Sequence, residues 1–143
     1  MNNQNEKLAQ KVVEAFKKNV SAEAREHISE SDYNVLASIV QEALSLEMAE
    51  AAMEMNFYIS FSGIVTFNSA ADLKEVARRV PLERMLIETD SPYLAPVPYR
   101  GKPNIPSYVG KVAECVAELR GISVAELAAI TSRNFKTLFL EKH

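Results

Sequence analysis

The chain has 143 residues, 48% of them apolar and 24% charged, with a net charge of −3 and a single cysteine. That length supports one domain with a true core, and the composition excludes a disordered chain. The acidic balance excludes a coat of non-specific nucleic-acid binding, though it leaves room for a local grip on phosphate.

No apolar run approaches membrane-spanning length, and the polar opening of residues 1–7 lacks the pattern of a signal peptide. Cys115 stands alone among helix formers. It reads as a small core residue in a reducing compartment, and the expected location is the cytoplasm.

Upstream of Ser45 the chain contains neither glycine nor proline. Leu8, Val12, Ala15 and Phe16 make a first helical stripe, and a short charged turn follows from Ser21 to Ile28. Ser29 and Ser31 are alternative N-caps for the next helix. Tyr33, Leu36, Ala37, Val40 and Leu44 then recur at helical spacing, and Met48, Ala51, Ala52 and Met55 continue them. This spacing predicts one long helix over Asp32 to Met55.

Downstream the pattern changes. Phe57 to Ser62 alternates, with Phe57, Ile59 and Phe61 on one face and Tyr58, Ser60 and Ser62 on the other. Gly63 marks a bend. Ser69 with Asp72 resembles a helix start, the buried face is Ala70, Leu73, Val76, Ala77 and Val80, and Pro81 ends it. Arg84 to Glu88 reads as a second strand. Strand, crossover helix and strand form a right-handed parallel βαβ unit.

Residues 91–106 form a long loop that carries every proline except Pro81. A loop of that length at a strand's carboxyl end is more often functional than decorative. Val109, Val112, Ala113, Val116 and Ala117 predict the next helix, closed by Gly121. Ser123 and Glu126 form a capping box, Ile122 is placed to staple to Leu127, and a last helix from about Ser132 packs Phe135, Leu138 and Phe139.

The segment Met85 to Leu94 carries the chemistry. On an extended strand Leu86, Glu88 and Asp90 share one face, so an apolar run ends in two acids before a proline-broken loop. Charges beside a low-dielectric core need a cation or a cluster of donors. The pair reads either as loop-bracing acids or as a functional site.

From about Ser45 to Phe139 the chain resembles the C-terminal part of the TatD family of metal-dependent deoxyribonucleases. The resemblance rests on Phe57–Gly63 (FYISFSG), Glu88–Pro96 (ETDSPYLAP), Arg100–Asn104 (RGKPN) and the closing helices from Leu127 to Phe139. It implies an α/β fold: a partial (β/α) barrel of the last two βα units, with parallel strands, over residues 45–143. An unrelated helical segment, residues 1–44, is expected to precede it, a pattern that a gene fusion, a truncated open reading frame or a deliberate chimera would each produce.

The resemblance further implies a site at the carboxyl ends of the strands. There a divalent metal (Mg, Mn or Zn) activates a water for phosphodiester hydrolysis. Asp90 matches the family's metal-ligating aspartate. Glu88 shares its motif in a supporting or structural role, and Arg100, Lys102 and Asn104 match a loop placed to orient phosphate.

The family's other metal ligands, its histidines and mid-barrel glutamate, have no counterpart here, since the chain's two histidines are His27 and His143. The expected metal site is therefore incomplete, no residue is assigned as catalytic, and the expected activity is weak or absent in a monomer. DNA is the partner the resemblance implies. Exposed strand edges predict a homo-oligomer, and a non-catalytic, self-associating protein is the alternative function. Phosphate or nucleotide binding through Arg100 and Lys102 is a third reading.

Overall fold

The computed structural model of the chain describes residues 39–41 and 46–141. The helical stripes predicted before residue 39, and both histidines, lie outside the described residues.

Three described strands form one parallel sheet in the order β1-β2-β3, with β1 at Ile39–Gln41, β2 at Tyr58–Phe61 and β3 at Met85–Ile87. Val40 pairs with Ile59, and Ser60 pairs with Leu86. The first strand corrects the long helix predicted over Asp32 to Met55. Ile39 and Val40 are β-branched residues that suit a pleated surface, and pairing with β2 supplies a ladder that helical periodicity alone does not reveal. Among the described residues the sheet thus holds three strands, one more than the two read from sequence.

Helix α1 (Leu46–Glu54) starts afresh after β1, so its core face is not the one an uninterrupted helix would give. Ala49 and Ala52 are buried, with Leu46 and Met53 packed beside them. Asn56 ends it in a left-handed conformation at φ 66°, and Phe57 N donates back to Ala52 O at 3.0 Å. The Arg84 guanidinium holds this turn through the Asn56 carbonyl and side-chain oxygens, at 3.2 and 2.6 Å.

Helix α2 (Ala71–Arg79) buries the predicted Leu73, Val76 and Ala77. It is capped by Ala70 and not by Ser69, with no side-chain cap bond. At its other end Arg120 Nη1 reaches the carbonyls of Ala77 and Val80, satisfying acceptors that α2 leaves open. Arg78 and Arg79 instead pair with Glu75 on the surface.

Helix α3 (Val109–Arg120) buries Val112, Ala113, Val116 and Ala117, and ends on Gly121 at φ 66°, a left-handed position suited to glycine. Helix α4 spans Val124–Phe139 without interruption. Two helices were expected there, but Ser132 is interior to one. The Ser123 hydroxyl accepts from Glu126 N at 3.1 Å, as the capping box requires.

The main core lies on one face of the sheet. Ile59, Phe61 and Met85 pack there against Val76, Val112, Val116 and Leu127, all essentially inaccessible to water. Fully burying a side chain such as Phe61 contributes roughly 1.5–3 kcal/mol. The opposite face carries Tyr58 and Leu86, met by Leu138 near the end of α4. Asn134 anchors α4 beneath β3 by donating to the carbonyls of Leu82 and Met85, at 2.6 and 2.8 Å. No helix among the described residues is long and apolar enough to cross a membrane.

Candidate functional site at the carboxyl ends of β2 and β3

The strand alternation that puts Ile59 and Phe61 into the main core puts Ser60 on the other face, beside Glu88. Glu88 N donates to Phe61 O at 2.9 Å, extending the ladder one residue past β3. Ser60 Oγ then donates to Glu88 Oε2 at 2.7 Å. Ser60 is 3% exposed, so this carboxylate meets a fixed donor and not a mobile one. Ser62, fully buried, has no hydrogen-bond partner for its hydroxyl among the described residues.

Asp90 does not continue the strand. Its φ is 60°, in the left-handed region, so the period-two alternation that placed it beside Leu86 and Glu88 ends before it. Aspartate tolerates that conformation better than most residues because its short polar side chain bonds locally. Asp90 O accepts from Tyr93 N at 2.9 Å, closing a tight turn, and the acid is half-buried at the start of the proline-rich loop.

The loop returns over the end of β2. Thr66 Oγ1 donates to Gly63 O at 2.6 Å and accepts from Val97 N at 2.9 Å. Gly63 lies so close to the loop that a β-carbon there would overlap the Leu94 carbonyl oxygen. Tyr99 and Tyr108 stack with centroids 4.0 Å apart, whereas Tyr93 is 73% exposed.

Of the loop residues singled out from sequence, Asn104 is buried and is joined to the acid-bearing turn. Its Nδ2 donates to Thr89 O and Tyr93 O, and its backbone N to Pro92 O. Arg100 is exposed and lies over the Phe67 ring, 3.8 Å from guanidinium carbon to centroid. Lys102 sits exposed on the adjoining turn, its backbone N donating to Tyr99 O at 3.1 Å. Sequence reading did not single out Ser60 as a partner of Glu88, although strand alternation placed it on the matching face. The Gly63–Leu94 approach left no local signal.

Carboxylate oxygens suit hard divalent cations, and Asp90 and Glu88 are of that type. Among the described residues, however, no group of three or more His, Cys, Asp or Glu side chains is arranged to hold a metal ion. The described donors therefore do not by themselves fit a metal centre. What they establish is an acid held by Ser60 just past β3, a turn that presents a second acid, and a loop tied to that turn through Asn104.

A parallel α/β sheet with helices packed against it and acids at its carboxyl ends defines the class. The particular family follows from comparison: the chain belongs to the TatD related DNase family, whose family model matches residues 6–140. That match begins upstream of Ser45, and β1, which lies before that residue, pairs with β2 beyond it.

Among curated proteins the chain is similar to the uncharacterized metal-dependent hydrolase YcfH of Escherichia coli K12, 58% identical over 93 residues, covering 65% of this chain and 35% of that protein. It is also similar to the uncharacterized metal-dependent hydrolase YabD of Bacillus subtilis, 54% identical over 95 residues, covering 66% of this chain and 37% of that protein. The chain thus spans about a third of the length of these relatives.

Among solved structures, YJJV, a TatD homolog from Escherichia coli K12, superposes with a TM-score of 0.67 at 30% identity, covering 73% of this chain and 40% of that one. A hydrolase of the TatD family from Entamoeba histolytica shares the fold, with a TM-score of 0.63 at 18% identity, covering 73% of this chain and 42% of that one.

Proposed function

We propose that this chain carries the aspartate-bearing part of a metal-dependent phosphodiesterase site of the deoxyribonuclease type, with a ligand set too sparse for strong activity in a single subunit. The observation that supports this reading is the location of Asp90: a half-buried acid on a left-handed turn directly after β3. The names of the relatives supply the metal-dependent hydrolase class.

Asp90 is the residue we assign to the metal, whether Mg, Mn or Zn, and Glu88 is its structural neighbour, held by Ser60. Arg100 and Lys102, on the exposed part of the loop, are the groups we assign to DNA phosphate. We place the reaction in the cytoplasm on the strength of the lone cysteine.

The test is calorimetry of the full chain with Mn²⁺, beside an assay of linear DNA cleavage. Binding is expected to be weak, roughly millimolar as for oxygen sites of low charge, and to vanish in Asp90→Ala together with any cleavage. Binding or cleavage that survives this substitution overturns the reading.

A non-catalytic, self-associating role is favoured by a different observation. An apolar groove of about 460 Å³ runs between β3 and α4, lined by Leu86, Ile87, Val109, Phe135 and Leu140 among others. Phe135 and Leu140 are 50% and 69% exposed. β3 is a terminal strand of the described sheet, and such edges invite pairing. Light scattering that gives a strict monomer at high micromolar concentration eliminates this second reading.

A further inference from the structure

We propose that Asn104 is a positioning residue for Asp90, fixing the turn that presents the acid instead of contacting phosphate itself. The inference deepens the proposed function and rests on Asp90 as the working acid.

The geometry begins with one amide group. A carboxamide nitrogen carries two hydrogens, and Asn104 Nδ2 directs them at two carbonyls, those of Thr89 and Tyr93. Thr89 immediately precedes Asp90, and Tyr93 closes the turn that begins at Asp90 through its own N–H to Asp90 O. The backbone N of Asn104 adds a third tie, to Pro92 O at 2.9 Å. One side chain, 15 residues further along the chain from Thr89, therefore brackets Asp90 on both sides.

The orientation of that amide follows from its partners. With two carbonyl oxygens facing it, the reversed amide would set oxygen against oxygen. Asn104 is 2% exposed, so the clamp is sheltered from competing water, and both hydrogens are already committed within the protein. A phosphate has no amide hydrogen left to use.

The need for such a clamp lies in the backbone of Asp90. At φ 60° it occupies a conformation that side-chain-bearing residues adopt only when their surroundings hold them there. Leu94, a γ-branched residue just past the turn, is also left-handed, at φ 55°. The turn has little regular ladder of its own, and Asn104 supplies the missing constraint from the far end of the loop.

The experiment is amide hydrogen exchange by NMR on the full chain, comparing wild type with Asn104→Ala and Asn104→Asp. The Asp substitution keeps the shape but removes both hydrogens. In each variant the Tyr93 amide should exchange at least tenfold faster, the Asp90 carboxyl carbon resonance should move, and the Val76 and Val116 amides should change less than twofold. If Ala at this position fails to fold, the Asp variant carries the comparison.

Unchanged Tyr93 protection and an unmoved Asp90 signal overturn the proposal. So does parallel acceleration of Tyr93 and the helix-core amides, which would reduce Asn104 to a general stabiliser. Mn²⁺ added to the same samples separates the two questions. Failure of the ion to broaden Asp90 in wild type counts against the functional reading, while the exchange result still decides the role of Asn104.

Discussion

Ser60 and Glu88 are joined across the sheet by a 2.7 Å hydrogen bond from the serine hydroxyl to Oε2 of the carboxylate. They belong to neighbouring strands and lie 28 residues apart in sequence. The bond fixes a charged group at the end of a buried strand, where an unsupported carboxylate would be costly. Ser60→Ala should destabilise the fold by about 1.5–3 kcal/mol, the range for a hydrogen bond to a charged group. Urea unfolding at neutral pH checks this, and a loss below about 0.5 kcal/mol would mean that the bond is not a structural support.

Gly63 is a second point of close approach. A methyl group there meets the Leu94 carbonyl and the backbone of Pro96, which are main-chain atoms with little freedom to yield. Gly63→Ala should cost about 1–3 kcal/mol by overpacking. It should also perturb NMR resonances of residues 94–97 more than those of α3. A neutral thermal melt would show that the loop moves aside freely.

Arg120 ties α3 to the end of α2 through the carbonyls of Ala77 and Val80. Arg120→Met keeps much of the aliphatic stem but removes the donors, and should cost about 1–3 kcal/mol for the acceptors left unsatisfied. Lys at this position should restore only part of it, because a point charge lacks the planar fork of a guanidinium. Denaturant midpoints of the two variants give the comparison.

Burial pushes the Cys115 thiol above its usual pKa, the leading cause ahead of the opposing pull of Lys74. The folded protein therefore holds this proton to higher pH than the unfolded chain does. The stabilisation is fully present below the unfolded pKa and is lost as pH rises through the folded one. Cys115→Ala should flatten the alkaline limb of the melting-temperature profile, measured from about pH 7 to 10.5. An identical slope in the two proteins would show that other groups set the alkaline limit.

Phe61 is fully buried at the centre of the main core. Phe61→Ala should cost about 3–5 kcal/mol and bring the chain close to unfolding, whereas Ile59→Val should cost about 0.5–1.5 kcal/mol. Chemical denaturation of both variants tests whether the core lies where the buried residues indicate.

Local periodicity was enough to locate α2, α3 and the face assignments of β2, because those depend on residues within a few positions of one another. The alternation of Phe57, Ile59 and Phe61 against Tyr58 and Ser60 is reproduced in two separate packing clusters and the Ser60–Glu88 bond. It failed at Ile39–Gln41, where helical spacing continued in the letters while pairing with β2 decided for a strand. A three-residue stretch carries too little pattern to oppose that, and propensity yields to tertiary partners.

The sequence by itself determined the parallel α/β character and the family resemblance, and it singled out Asp90 as the acid we propose for the metal. These follow from alternation, turn chemistry and short motifs spread between Phe57 and Phe139. Only tertiary structure decided how that acid is held: its left-handed backbone, the close pass of Leu94 over Gly63, and the grip of Asn104 from 15 residues away. Such contacts are set by where distant backbone carbonyls come to rest, and a linear pattern carries no record of that until the chain has packed.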